Sequence, residues 1–263
     1  MKTRIIAELV DGCNLRCVLC WNSNRTGTGK QMSLETVAKI FTRYDDARCE
    51  ISFFNWGEPL LHKDIEAVSE MAKESTAETV MSSNMSLSIS DERLKALSGF
   101  SNVNVSQSGM TAEIYNIYHI NGDLSLVMEN LKRLSRLKLK NVTIRWLRHK
   151  YNEFQLPSAA ELANRLGFRF ATSQLNCCVE DLVDGFDSEL LRVPKFPSKS
   201  HFCHIRYWDS INTDGAYLLC CASHNVKIGY SVDDKVSSRT LREARSATPL
   251  CTSCTEKEYW RMY

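Results

Sequence analysis

The sequence predicts an α/β fold, a partial (β/α)6 TIM-like barrel followed by a small C-terminal β-hairpin and helix. Three observations carry this. Apolar or β-branched runs alternate with helical patterns from the N-terminus to about residue 176. Polar motifs follow the first three of these runs, at the strand ends where a barrel keeps its active residues. After residue 200 the texture changes, and Asp214-Gly215 joins two strand-like runs as a hairpin turn does.

Strands are expected at 5–11, 49–56, 78–83, 102–108, 141–147 and 169–175, with helices near 33–45, 63–75, 90–99, 125–138 and 157–166. In the fourth of these helices Leu126, Val127, Leu131, Leu134 and Leu137 recur at close to i, i+4 spacing. Ser33 before Leu34-Glu35, and Ser90 before Asp91-Glu92, read as helix starts. Such alternation implies a parallel sheet with right-handed crossovers, and six units form a splayed, incomplete version of the eight-unit barrel. Residues 1–176 then make the barrel. A connector at 177–200 holds Cys177-Cys178, acidic residues, Pro194 and Pro197. Residues 201–263 make the appendage, with strands in 207–212 and 216–221 and a helix at 240–246.

At 263 residues the chain suits one main domain with a small addition. Its 43% hydrophobic and 24% charged content are ordinary for a globular protein. A net charge of +2 gives no footprint for nucleic acid or an acidic membrane. No apolar run approaches the roughly 18 residues of a membrane helix, and none after Met1-Lys2-Thr3-Arg4 is long enough for a signal peptide. A cytoplasmic setting is expected, with neither nucleic acid nor membrane as partner. Eleven cysteines in a reducing compartment point to metal rather than to disulfides.

Cys13, Cys17 and Cys20 form a C-x3-C-x2-C run just past the first strand. Three thiolates hold three corners of a [4Fe-4S] cube and leave the fourth iron open, whereas clusters that only carry electrons have four cysteines. A zinc knuckle would need a fourth ligand from elsewhere. Phe54-Asn55-Trp56-Gly57-Glu58-Pro59 ends the second strand, Ser82-Ser83-Asn84 the third. In the fourth, alternation puts Asn104, Ser106 and Ser108 on one face, which suggests a cavity lined for a polar ligand. Arg145, mid-strand in the fifth, is costly to bury without an anionic partner. Near the C-terminus, Cys203 and Cys220 flank the hairpin and Cys251-x2-Cys254 follows, giving four thiolates that close a site.

With these motifs the chain resembles the radical S-adenosylmethionine (SAM) enzymes over about residues 5–255. The resemblance implies that SAM chelates the open iron. It also implies that Leu19 lies against adenine, that Trp56-Gly57-Glu58-Pro59 stands for a GGEP-like motif meeting the SAM amino group, and that Ser82, Ser83 and Asn84 contact the ribose. Trp56 departs from the family pattern, which has glycine there. Ser106 joins the cofactor side of the cavity, and Arg145 is assigned to the SAM carboxylate or to an anionic substrate group. Cys203, Cys220, Cys251 and Cys254 resemble the Twitch ending, a shortened SPASM-type appendage with one auxiliary [4Fe-4S] cluster. A zinc ribbon on Cys203, Cys220, Cys251 and Cys254 is the alternative.

Two [4Fe-4S] clusters and SAM are thus the expected cofactors, with an external one-electron donor such as flavodoxin or ferredoxin. Reductive cleavage of SAM to a 5′-deoxyadenosyl radical, and hydrogen abstraction from a small polar substrate, are what the resemblance implies. A sugar or cyclitol in a specialised biosynthetic pathway is favoured, with dehydrogenation or epimerisation as outcome. Cys177, Cys178 and Cys221 are candidate thiol hydrogen donors, while Cys49 reads as a buried small hydrophobe. His119, His149 and His204 are set aside as structural. The alternatives are modification of a ribosomally made peptide, against which the early first strand weighs, and a non-enzymatic iron–sulfur or zinc protein.

Overall fold

The structure, a computed structural model, describes residues 2–18, 20–24, 28–174, 208–221 and 226–248. Six strands pair in parallel in the barrel: β1 (Thr3–Ala7), β2 (Cys49–Ser52), β3 (Glu78–Ser83), β4 (Asn102–Gln107), β5 (Val142–Arg148) and β6 (Arg169–Gln174). Between them lie α1 (Leu34–Tyr44), α2 (Ile65–Glu74), α3 (Asp91–Ala96), α4 (Ala112–Tyr118), α5 (Leu124–Arg136) and α6 (Leu156–Leu166). The expected six-unit α/β architecture is present, as a partly closed sheet.

Local sequence explains the helix starts. Ser33 and Ser90 cap α1 and α3 by accepting from the amides of Thr36 and Arg93, and Asp123 caps α5 through Ser125 and Leu126. Gly167 ends α6 at φ +75°, a conformation suited to glycine. The buried stripe of α5, Val127, Leu131 and Leu134, shares one core with Val103, Val105, Val142 and Ile144, the strand residues that alternate with those lining the cavity.

Two expected strand ends are corrected. The first strand ends at Ala7, not residue 11: the Glu8 amide makes the last bond to β7's Ile211, and Val10 then bridges Gln31 instead. The second ends at Ser52, so Phe54 to Trp56 belong to a loop. The seven-residue α4 and a ninth strand went unforeseen: only Tyr115 of α4 is buried, too little to make an apolar stripe.

The C-terminal part is a hairpin, as its Asp-Gly turn implies. Strands β7 (Asp209–Ile211) and β8 (Ala216–Leu218) are antiparallel, with Gly215 at φ +79° in the turn. β9 (Lys227–Ser231) pairs with β8, and α7 (Ser238–Ser246) follows. β7 also pairs in parallel with β1, giving one nine-stranded sheet in the order β6-β5-β4-β3-β2-β1-β7-β8-β9. The hairpin therefore continues the barrel sheet. The boundaries drawn at 176 and 201 fall outside the described residues. Among the described residues, no helix is long and apolar enough to cross a membrane.

Candidate active site

A cavity of about 350 Å³ opens at the C-terminal ends of the parallel strands. One wall is the cysteine run. Cys13, Cys17 and Cys20 are half-buried and all line it. The amides of Arg16 and Val18 bond the carbonyls of Ile120 and Tyr118 at 2.9 Å, which pins the run to the segment after α4. Burial pushes the Cys13 thiol up to about 11 and raises Cys17 and Cys20 too. At Cys17 the neighbouring thiolates add to the effect. Three soft sulfur donors share one wall, and burial disfavours each thiolate when no positive group compensates it. That donor set fits an iron–sulfur cluster, whose iron supplies the missing charge.

The loop after β2 crosses beneath this wall, and Gly57 explains how closely. A Cβ there would lie 1.7 Å from the Val10 carbonyl oxygen and 2.9 Å from that of Gly12. The Glu58 amide donates to the Gly12 carbonyl at 2.8 Å. Gly57→Ala therefore forces the loop off the end of β1. The expected penalty is at the upper end of the roughly 1–3 kcal/mol of overpacking. A lowered urea midpoint together with reduced iron uptake is the expected readout.

Glu58 is 2% exposed. Its two carboxylate oxygens accept from the amides of Leu60 (3.0 Å) and Asn84 (2.8 Å), so it staples the loops after β2 and β3 together. Burial raises its pKa from 4.5 to about 7, against the pull of those amides and the Ser83 hydroxyl. The folded state then holds its proton more tightly than the unfolded chain. This group's contribution is most favourable below about pH 4.5 and is lost as pH rises to about 7. Glu58→Gln should flatten the fall of stability between pH 5 and 8 by up to about one proton, read from urea titrations across that range. The variant also offers one acceptor where two amides need one, at a cost of roughly 1–3 kcal/mol.

Trp56, where the family has glycine, turns away from that loop. Its indole N–H donates to the Cys221 carbonyl at 2.9 Å, and the Asn55 amide reaches the same oxygen at 3.3 Å. The loop at the cysteine wall is thereby tied to the segment that carries Cys220 and Cys221. Pro59, buried, starts the single 3-10 turn Pro59–Leu61 and does not line the cavity.

A second stretch of the lining is polar. Ser82, Ser83 and Asn84 lie in it at the end of β3. The Asn84 amide nitrogen points to Cys13 Sγ (3.7 Å) and Asn14 Oδ1 (2.9 Å). Asn104 pairs in register with Ser82, and Ser106 with Arg145. All four line the cavity, so β4 and β5 do turn polar side chains to it. Arg145 is exposed there, and no carboxylate among the described residues forms an ion pair with it. Ser108 is buried and lies off the cavity wall.

Two groups escaped the sequence reading. Glu8, 2% exposed, accepts from the Trp56 amide at 3.1 Å, and burial raises its pKa to about 7. An acid within the apolar run that follows β1 was the available signal. His119, set aside as structural, lines the cavity with Nδ1 3.4 Å from Cys17 Sγ, and burial lowers its pKa to about 3. His149 is buried and does not line the cavity. Cys220 is half-buried, while Cys221 is buried off the cavity, as is Cys49 at the start of β2. Leu19, Cys177, Cys178, Cys203, His204, Cys251 and Cys254 lie outside the described residues.

Three free thiols line the mouth of a partial barrel, and comparison with known proteins identifies the class of the fold. The model of the "Radical SAM superfamily" matches residues 8–163, and the chain belongs to that superfamily. Curated relatives include the "Probable GTP 3',8-cyclase" of Methanocaldococcus jannaschii, 26% identical over 168 residues, 61% of this chain and 54% of that protein. The protein of the same name from Archaeoglobus fulgidus is 27% identical over 145 residues, 55% of this chain and 49% of its own length. The chain thus spans about half the length of the curated relatives it matches.

Among solved structures, anSMEcpe with bound AdoMet superposes with a TM-score of 0.66 at 15% identity, covering 96% of this chain and 79% of that one. Streptococcus suis SuiB bound to S-adenosylmethionine gives 0.64 at 13%, covering 98% and 72%. BtrN in complex with AdoMet and 2-DOIA gives 0.57 at 16%, covering 97% and 93%. At these identities the likeness establishes the fold. Superfamily membership carries with it a [4Fe-4S] cluster, SAM and an enzymatic role.

Proposed function

We propose that this enzyme abstracts a hydrogen atom from a small polar substrate of the sugar or cyclitol type, in a specialised biosynthetic pathway, leading to dehydrogenation or epimerisation. The observation that carries the reading is the polar wall of Asn104, Ser106 and Arg145 in the cavity that also holds Cys13, Cys17 and Cys20. When bound to these cysteines, the cluster supplies the electron that cleaves SAM to methionine and a 5′-deoxyadenosyl radical.

The chain's own residues bind, orient and exclude water. Gly57 lets the loop after β2 pass close to the cysteine wall, and Glu58 holds that loop against Ser83 and Asn84. Ser82 and its neighbours face the ribose, and Leu19 the adenine. Arg145 meets the one carboxylate of SAM or an anionic group of the substrate, since a guanidinium grips such a group in two-pronged fashion. Cys203, Cys220, Cys251 and Cys254 hold an auxiliary [4Fe-4S] cluster of Twitch type in a domain of residues 201–263. The bonds from Asn55 and Trp56 to the Cys221 carbonyl support a close relation between that segment and the first site. A thiol of Cys177, Cys178 or Cys221 that returns a hydrogen atom to the opposite face of the substrate carbon gives the epimer. Without such a donor, the substrate radical would give an electron to the auxiliary cluster and lose a proton, and oxidation is the outcome. The electron comes from a flavodoxin or ferredoxin, in the cytoplasm.

A second reading takes its support from the curated relatives: a nucleotide substrate and a cyclisation, with Arg145 against phosphate. One assay separates them. Anaerobically reconstituted protein with about eight irons per chain, reduced by dithionite, is given SAM with a panel of sugars, cyclitols and GTP. Substrate-dependent release of 5′-deoxyadenosine with a cyclitol or sugar supports the first reading. Stimulation by GTP alone replaces it with the second, and no release with any of them removes both.

A further inference from the structure

We propose that His119 is a positioning residue of the N-terminal metal site: its Nδ1–H donates a hydrogen bond to the Cys17 sulfur and raises the reduction potential of the cluster held there. The proposal rests on the reading that Cys13, Cys17 and Cys20 bind a [4Fe-4S] cluster.

The backbone sets the pair in register. Arg16 and Val18 flank Cys17, Ile120 and Tyr118 flank His119, and the Arg16–Ile120 and Val18–Tyr118 hydrogen bonds, both 2.9 Å, hold the two residues opposite each other. The imidazole is 3% exposed. It is stacked on Tyr115 at 4.5 Å and edge-on to Tyr118 at 4.9 Å. Its Nδ1 lies 3.4 Å from Cys17 Sγ, within N–H···S range, and its Nε2 has no partner among the described residues.

A neutral imidazole has one N–H. Placed on Nε2, that proton would be a buried donor with nothing to receive it, the costlier kind of orphan. Placed on Nδ1, it is spent on the sulfur. Reduction adds negative charge to the cluster and its thiolates, so a fixed donor at one sulfur favours the reduced state over the oxidised one. Hydrogen bonds to the sulfurs are among the levers that set such potentials.

The test uses the full chain, reconstituted anaerobically. His119→Phe keeps the volume and the stack and removes the donor, while His119→Asn puts an amide nitrogen near the place of Nδ1. A reductive titration follows the paramagnetic signal that changes when SAM is added, which singles out the N-terminal cluster. The expected result is a more negative midpoint for H119F at unchanged iron content, with H119N returning toward the parent protein. An H119F midpoint equal to the parent's, at equal iron content, overturns the proposal. Should H119F fail to take up iron, pulsed paramagnetic resonance on the parent protein with 15N-labelled histidine decides. A weakly coupled histidine nitrogen and an exchangeable proton in the SAM-responsive signal support the hydrogen bond, and their absence overturns it. If no signal responds to SAM, the cluster reading itself falls, and the role of His119 with it.

Discussion

Cys17→Ala reduces SAM cleavage to the level of iron-free protein. Burial, with the charges of Cys20 and Cys13 adding to it, raises the Cys17 thiol well above its ordinary value. Two remaining thiolates leave a cube short of a second protein ligand, and such a site loses the cluster rather than weakening it. The measurement is 5′-deoxyadenosine released per chain under dithionite, alongside iron content. Cys254→Ala is the contrasting variant: SAM cleavage persists, uncoupled from product, if the C-terminal cysteines form a separate auxiliary site. Equal loss of cleavage in both variants would contradict that division of labour.

Arg245→Met destabilises the fold by about 3–5 kcal/mol, because it strands a buried carboxylate. Arg245 and Asp209 are 1% exposed, and their ion pair at 2.9 Å joins α7 to β7. The other Asp209 oxygen accepts from Tyr44 of α1 at 2.8 Å, and Tyr44 meets Tyr217 of β8 at 2.8 Å. This network locks the hairpin strands and α7 against the barrel helix α1, next to the β1–β7 pairing. Urea unfolding measures the loss. Arg245→Met combined with Asp209→Leu should recover much of it, since removing both charges leaves none unpaired. A single variant as stable as the parent would show that the pair contributes nothing. The structural consequence reaches the site, because β8 leads directly into Cys220 and Cys221, whose backbone receives Trp56.

The parallel part of the sheet was legible because its strands are short apolar runs and its helices carry stripes and caps that local chemistry dictates. β3 matches its expected bounds, and Ser33 and Ser90 cap as their positions imply. Strand ends were less legible. Leu9, Val10 and Phe53 are as apolar and as buried as strand residues although they lie beyond the strand ends, and Phe53 packs against Phe41 of α1 and against Phe100. β9 was hidden by its exposed, glycine-containing sequence, and the β1–β7 pairing joins residues about 200 positions apart, which leaves no local trace.

At the site, residue types and spacing pointed to the cysteines and to the polar faces of β4 and β5, and the cavity gathers Cys13, Cys17, Cys20, Ser82, Ser106 and Arg145 together. What spacing could not give was partnership. Glu58 lines the cavity, as its motif implied, but the two backbone amides its oxygens accept from left no trace in the spacing. His119 looked like a lone histidine until α4, itself unforeseen, carried it to Cys17.

The central claim is that the N-terminal cysteines leave one iron open to SAM. Mössbauer spectra of 57Fe-reconstituted protein test it most directly. Addition of SAM should resolve one iron of the N-terminal cluster from its three companions, with a higher coordination number. Spectra that are identical with and without SAM, in protein carrying its full complement of iron, would contradict the account.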